Sequence, residues 1–288
     1  MAFSLLFTRR LLFIFGTIAL LSSCAFFDTS ETIPSYIHID KIAFVPGSDT
    51  TTGAGGQGTA SSNITDAWVY VDEQLQGIYE LPCTFPVQYE GTHTIKVAAG
   101  IKMNGIGATR VIYPFFDFYT TTVTLTPKQT TTINPHVSYY STVQFPYLEN
   151  FESTYCFVDS FGDTPLRDTN GAVAWGGGWS AYGMIKGNAL TFQSRTCTTY
   201  ALNADGQPKF IELNYKCNHP FVVGLLYGNG TEPVVGVNPS DKWNKIYLNI
   251  SDQILLSGTY GFYFAMQKLP SDTGNPTLYI DNVKLVHF

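Results

Sequence analysis

Asp66-Ala-Trp-Val-Tyr-Val-Asp72, answered further on by Thr92-His-Thr-Ile-Lys-Val-Ala-Ala99, decides the fold class of this 288-residue chain. In the first run Trp68, Tyr70 and Asp72 alternate with Val69 and Val71; in the second Ile95 and Val97 share one face. A period of two marks a half-buried strand, because successive side chains leave opposite faces of the pleat. Glu73 to Gly77 and Glu90-Gly91 supply turns. Between them Leu81-Pro-Cys-Thr-Phe-Pro-Val87 reads as an edge segment, since Pro82 and Pro86 cannot donate to a ladder.

The composition extends that reading to the whole chain. Charged residues make up 13% and aromatic ones 15%, and no long segment repeats an apolar residue every three or four positions. β-branched and aromatic side chains pack well on pleated surfaces, so the expectation is an all-β protein. Further strands are expected at Tyr36 to Val45, Ala189–Phe192, Phe210–Lys216, Phe221–Tyr227, Lys245–Ile250, Tyr260–Gln267 and Thr277–His287. The Gly/Ser/Thr-rich run before Asp66 contains Gly53-Ala-Gly-Gly-Gln-Gly58, formally a dinucleotide fingerprint. No helical pattern opens from it to receive a phosphate, so it reads as a flexible loop.

The leader indicates location. Arg9 and Arg10 precede an apolar run, Leu11 to Leu21, which ends in Leu21-Ser-Ser-Cys24. The run is too short for the roughly 20 residues of a membrane span. It resembles the bacterial lipoprotein signal, in which an aliphatic and two small residues precede a cysteine that is acylated and becomes the new N-terminus. The resemblance implies lipidation of Cys24, a cell-envelope location and, because a neutral residue follows Cys24, sorting to the outer membrane. Without residues 1–23 the formal charge is 14 − 22 = −8, because the leader carries two of the 16 basic residues and no acidic one. Such a balance argues against nucleic acid as a partner. Export to an oxidising compartment permits a disulfide among Cys83, Cys156, Cys197 and Cys217, and Cys197 with Cys217 is the first pair to test.

Two domains follow a tether at residues 24–35. Val69-Tyr-Val-Asp-Glu-Gln-Leu-Gln-Gly77, Pro86 and Glu90-Gly-Thr-His-Thr-Ile-Lys-Val97 resemble the PEGA domain, a small β-sandwich of bacterial envelope proteins. Glu90-Gly-Thr-His93 stands where that family has its eponymous tetrapeptide. The domain is assigned to residues 36–135. Within it Arg110, Tyr113, Phe115, Phe116 and Tyr119 form an aromatic run that is either a contact surface for a partner or cover for the small sandwich.

A connector at 136–147 leads to a second domain, 148–288. Asn150-Phe-Glu152, Asp241-Lys-Trp-Asn-Lys-Ile-Tyr-Leu-Asn-Ile250 and Thr277-Leu-Tyr-Ile-Asp-Asn-Val-Lys-Leu-Val286 resemble the galactose-binding-like jelly roll shared by many carbohydrate-binding modules. Some members hold a structural calcium at the places matched here by Glu152 and Asp281; two carboxylates alone fall short of six oxygen ligands, although backbone carbonyls could complete the set. The other reading of Asp281-Asn282 is a local cap. Trp175, Trp179 and Tyr182, around three consecutive glycines, offer flat apolar platforms to sugar rings, or close one end of the core. Glu149, Glu152, Asp159, Asp163, Asp168 and Glu212 supply carboxylates without the spacing of a glycosidase pair. No nucleophile elbow or zinc motif occurs and no cofactor is required. The sequence therefore reads as a non-enzymatic envelope lipoprotein presenting a glycan-binding sandwich. An assembly subunit without a sugar ligand is the second reading and a glycoside hydrolase the third.

Overall fold

The computed structural model describes residues 32–47, 56–159, 162–228 and 230–288. The leader, Cys24 and most of the tether lie outside the described residues.

The first half contributes β1 (Ser35–Ile39), β2 (Ala43–Phe44), β3 (Asp66–Val71), β4 (Gln74–Glu80), β5 (Cys83–Val87), β6 (Gly91–Lys102), β7 (Arg110–Ile112), β8 (Tyr119–Leu125), β9 (Thr130–Ile133) and β10 (His136–Val137). The second contributes β11 (Gln144–Glu149), β12 (Phe157–Asp159), β13 (Leu166–Asn170), β14 (Trp179–Met184), β15 (Thr191–Thr196), β16 (Tyr200–Leu202), β17 (Lys209–Cys217), β18 (Phe221–Tyr227), β19 (Gly230–Val237), β20 (Ser240–Asn249), β21 (Gly258–Gln267) and β22 (Thr277–His287). The helical elements among the described residues are three-residue 3-10 turns, so the chain is all-β.

In the first unit β1 sits between β5, antiparallel, and β9, parallel. The facing sheet runs β4-β3-β6, with β7 and β8 sharing the far edge of β6. The alternation read in the sequence fills the space between the sheets: Ile37, Ile39, Val69, Val71, Ile95 and Val97 are fully buried. Asp72 and Glu73 turn the β3–β4 hairpin with positive φ at both positions, 48° and 65°. Such a turn matches the right-handed twist of the two strands. The Asp72 carboxylate secures it by accepting from the Thr94 backbone N–H at 3.0 Å and pairing with His93 at 2.6 Å.

The second unit is a sandwich of two six-stranded sheets. One has the order β13-β14-β22-β17-β20, with β11 beside the distal half of β22; the other runs β12-β15-β21-β18-β19, with β16 against β21. Leu213, Leu248, Leu278 and Ile280 from the first sheet meet Phe192, Val223, Leu225 and Phe264 from the second. Each such side chain contributes about 1.5–3 kcal/mol when buried. The sheet built on β22, β17 and β20 matters most for function because only part of its outer face is covered.

The cover is the first unit. Tyr113 and Phe115 are fully buried and Phe116 nearly so, which overturns the partner-surface reading of this run. After β7, Pro114 ends the pairing and two of the rings dock on the second sandwich, with Tyr113 4.7 Å from Tyr247 and Phe115 5.7 Å from Phe210 between centroids, while Phe116 packs on Phe44 and Tyr139, each at 5.0 Å. Arg110 is bound to Asp66 and to Glu80, and Tyr119 packs edge-on against His136. Residues 136–147, expected as a connector, are likewise built in: β10 pairs with β2, and Tyr139 and Phe145 are buried.

At the centre of this contact Glu212 accepts from Tyr113 Oη at 2.5 Å and Tyr139 Oη at 2.6 Å. Its second oxygen lies 2.9 Å from Lys245 Nζ, placed for charge attraction but not aligned for a hydrogen bond. Lys284 completes the group with Nζ 3.5 Å from Tyr139 Oη. Burial alone would raise the Glu212 pKa, but the Lys245 and Lys284 charges outweigh it and hold the carboxyl well below its usual range. Burial, with Lys245 adding to it, pulls Lys284 down to about 7 against the opposing pull of Glu212.

The Gly-rich run is not loose where it is described. Thr59 donates to Asn282 at 3.0 Å, Ser61 to Asn214 at 2.9 Å, and the Asn63 side chain to Asn244 and to the Lys245 carbonyl, both at 3.0 Å. Gly58 adopts φ +71° where an added Cβ would meet Leu148 at 2.8 Å, so glycine is needed for both conformation and space. Residues 56–65 thus lie along the outer face of the second sandwich, at the border of its covered half.

Candidate functional site

The uncovered half of that face carries an aromatic row. Ala181, Leu278 and Ile280 point into the core, so strand alternation sends Tyr182 and Tyr279 outward. The register sets Tyr182 opposite Tyr279, and Tyr279 opposite Lys216. The two tyrosine rings are stacked at 5.8 Å with 29° between planes, and Trp243 on β20 meets Tyr279 at 6.4 Å. The Trp243 Nε1–H donates to the Val173 carbonyl at 3.2 Å, which ties the 3-10 turn at Gly171–Val173 to the row. Lys216 holds its Nζ 5.8 Å from the Tyr279 ring, and Arg167 stands opposite Tyr182 on the edge strand β13. Half-exposed aromatic faces in a line, flanked by hydrogen-bonding groups, suit a ligand with alternating apolar and hydroxylated surfaces.

The expected trio of Trp175, Trp179 and Tyr182 is divided. Trp179 and Tyr182 lie on one strand three residues apart, an odd number, so they leave opposite faces. Trp179 is 42% exposed and lines a separate hollow with Glu152, Tyr155 and Asp168 at the sandwich edge. Trp175 is half-buried in a 3-10 turn, its N–H donating to Ser180 Oγ at 2.9 Å. Gly176 and Gly177 turn the chain with positive φ, 62° and 82°, while Gly178 abuts the Glu152 carboxylate, which an added Cβ would displace, and the Trp179 backbone N–H donates to Glu152 Oε1 at 2.9 Å. Tyr279 and Trp243 lie in runs singled out above as strand frame, yet sequence reasoning did not make them site residues.

Glu152 and Asp281 engage protein groups. Asp281 accepts from Ser180 Oγ at 2.5 Å and from the Asn282 backbone N–H at 2.6 Å. Among the described residues no group of three or more His, Cys, Asp or Glu side chains is arranged to hold a metal ion. Both carboxylates accept hydrogen bonds from protein groups, so a cation needing six or more oxygens would have to draw most of its ligands from backbone carbonyls.

Burial first, and then the charges of Glu152 and Glu149, push the Asp281 pKa up to about 7 against its two hydrogen bonds. The folded carboxyl then keeps its proton to about pH 7, whereas the unfolded one releases it near 3.8. Stability from this group is therefore full below the unfolded value and lost as pH rises through 7. Thermal midpoints from pH 4 to 8 should fall more steeply in the wild type than in Asp281→Asn. Glu149 and His93, both raised, act in the same direction, so the difference between the two proteins is the readout. Parallel profiles would contradict the assignment.

The disulfide is Cys156–Cys197, with Cα atoms 5.3 Å apart, and not Cys197–Cys217. Cys197 follows β15 in one sheet, whereas Cys217 ends β17 in the other and is a buried free thiol.

No family model matches the sequence, and no curated protein matches it. Among solved structures, a variant of a family 29 carbohydrate-binding module is similar at 14% identity over 51% of this chain and 92% of that one, with a TM-score of 0.34. A family 61 module in complex with β-1,4-galactotriose is similar at 13% identity, over 48% and 93%, TM-score 0.33. An exo-β-agarase is similar at 11% identity over 48% of this chain but only 25% of the agarase, TM-score 0.35. Likenesses this distant carry no argument about what the chain binds.

Proposed function

We propose that this chain is a non-catalytic glycan-binding protein of the bacterial envelope, held to a membrane through acylated Cys24. A polysaccharide would lie across the open half of the second sandwich. The observation that carries the reading is the Tyr182–Tyr279–Trp243 row on the sheet face, half-exposed and bordered by polar groups. A pyranose ring presents flat C–H faces that stack on such rings, while its hydroxyls reach flanking side chains. The first unit and residues 56–65 wall off the other half of the face, so the row is accessible from one direction. Anchoring many copies at one surface would raise avidity where each site binds modestly.

Affinity electrophoresis of the purified protein against plant, algal and host polysaccharides, β-1,4-galactan included, tests this reading. Tyr279→Ala, at the centre of the row, should weaken retardation about tenfold, equivalent to about 1.4 kcal/mol. Trp179→Ala, on the other side of the strand, should leave it unchanged. Retardation by no polysaccharide, with and without calcium, or an effect confined to Trp179, would overturn the assignment.

A further inference from the structure

We infer that the glycan is anionic, bearing carboxylates or sulfate esters; this rests on the glycan-binding reading above and narrows its ligand class. The molecule as a whole is acidic, with 22 Asp and Glu against 16 Lys and Arg. Three of its cations nonetheless stand beside the aromatic row. One hollow beside Tyr182 is lined by Arg167 and Lys186, with Thr164, Pro165 and Met184 and no acidic residue. The hollow on the other side of the row, beside Tyr279, is lined by Lys216 together with Asn218, Thr277 and Asp241. Asp241 is the single acidic residue lining either hollow.

These cations are not neutralised by carboxylates of the protein. Lys96, Lys102, Arg110, Lys209 and Lys245 are all taken up in ion pairs. Among the described residues Arg167, Lys186 and Lys216 form none. Lys216 holds its ammonium over the Tyr279 ring, a contact that leaves it able to meet an anion. Arg167 and Lys216 bracket the tyrosine pair across β13, β14, β22 and β17. Three strand spacings of about 4.8 Å separate them, about 14 Å. A chain running across the strands would therefore stack on the tyrosines and place acidic substituents at both flanks. Arg167 offers the planar fork that carboxylate and sulfate both fit; Lys216 and Lys186 offer point charges.

The test pairs polymers that differ only in charge: polygalacturonate against its carboxyl-reduced product, and a sulfated galactan against its desulfated form. Binding of purified full-length protein is measured by affinity electrophoresis at low salt and at 0.5 M NaCl. At least one charged polymer should bind tenfold or more tightly than its neutral counterpart, and salt should erase most of the difference. The member preferred distinguishes carboxylate from sulfate. Arg167→Ala and Lys216→Ala should each lose about fivefold on the charged polymer and little on the neutral one, with Arg167→Lys recovering part of the loss. Equal binding of charged and neutral members would overturn the anionic ligand and leave the glycan reading standing. Binding of none of the four, with retention on phosphatidylglycerol vesicles, would overturn both. Equal losses on both members in the two alanine variants would reassign Arg167 and Lys216 to structural roles and overturn the inference.

Discussion

Glu212→Gln is expected to lower the stability of the whole chain by about 3–5 kcal/mol, the usual cost of removing one partner from a buried charge pair. The amide can still accept from Tyr113 and Tyr139, so the loss isolates the charge. Without the carboxylate, Lys245 loses its counter-charge in a site closed to solvent, and Lys284, already pulled down to about 7, is driven to its neutral form; both residues are under 5% exposed. Denaturant unfolding of the wild type and variant checks the value. Adding Lys245→Met to Glu212→Gln should recover part of the loss, because a well-packed apolar side chain in place of an uncompensated ammonium is tolerated. A cost below about 1 kcal/mol for the single variant would show that the pair is not closed to water in solution.

Removal of the Cys156–Cys197 link is the second large effect. The two cysteines are 41 residues apart, and closing a loop of that length restricts the unfolded chain enough to stabilise the fold by about 2–4 kcal/mol. The Cys156→Ser/Cys197→Ser protein should unfold at correspondingly lower denaturant, whereas Cys217→Ser should change the midpoint far less, through packing alone. Peptide mapping of the oxidised protein should recover residues 156 and 197 in one linked fragment. A fragment linking 197 to 217 would refute the assignment.

How far the fold was legible depends on how local the signal is. The bounds of β18 and β22 agree with the expected Phe221–Tyr227 and Thr277–His287, because their side chains alternate or run apolar between clear turns. β13, Leu-Arg-Asp-Thr-Asn, went unread: an edge strand with one buried residue carries little apolar pattern. The start of β14, Trp179 to Tyr182, reads in sequence as part of a ligand platform because three consecutive glycines precede it, whereas in the fold it is a sheet strand whose Gly183 faces the Phe192 ring across the core. Tyr279 and Trp243 show a different limit. Each run gave the face of its own strand, but which strands lie side by side follows from pairing across the chain, and Thr277–His287 finds its partners in β11, β14 and β17. The Tyr113-Phe115-Phe116 run shows a third: an aromatic surface looks the same in sequence whether another protein or this one covers it. The PEGA-like and lipoprotein readings rest on the residues that suggested them.

The outer face shared between the aromatic row and the buried Glu212 group bears on how this protein could have arisen and diversified. A binding module that travels between proteins as an independent cassette must present a finished surface wherever it is cut. Here the sandwich alone would leave Phe210, Tyr247 and Val286 uncovered beside three ionisable groups that are closed off only by Tyr113, Tyr139 and their neighbours. The first unit is therefore the missing outer layer of the second, and the two are bound to be inherited, lost and altered together.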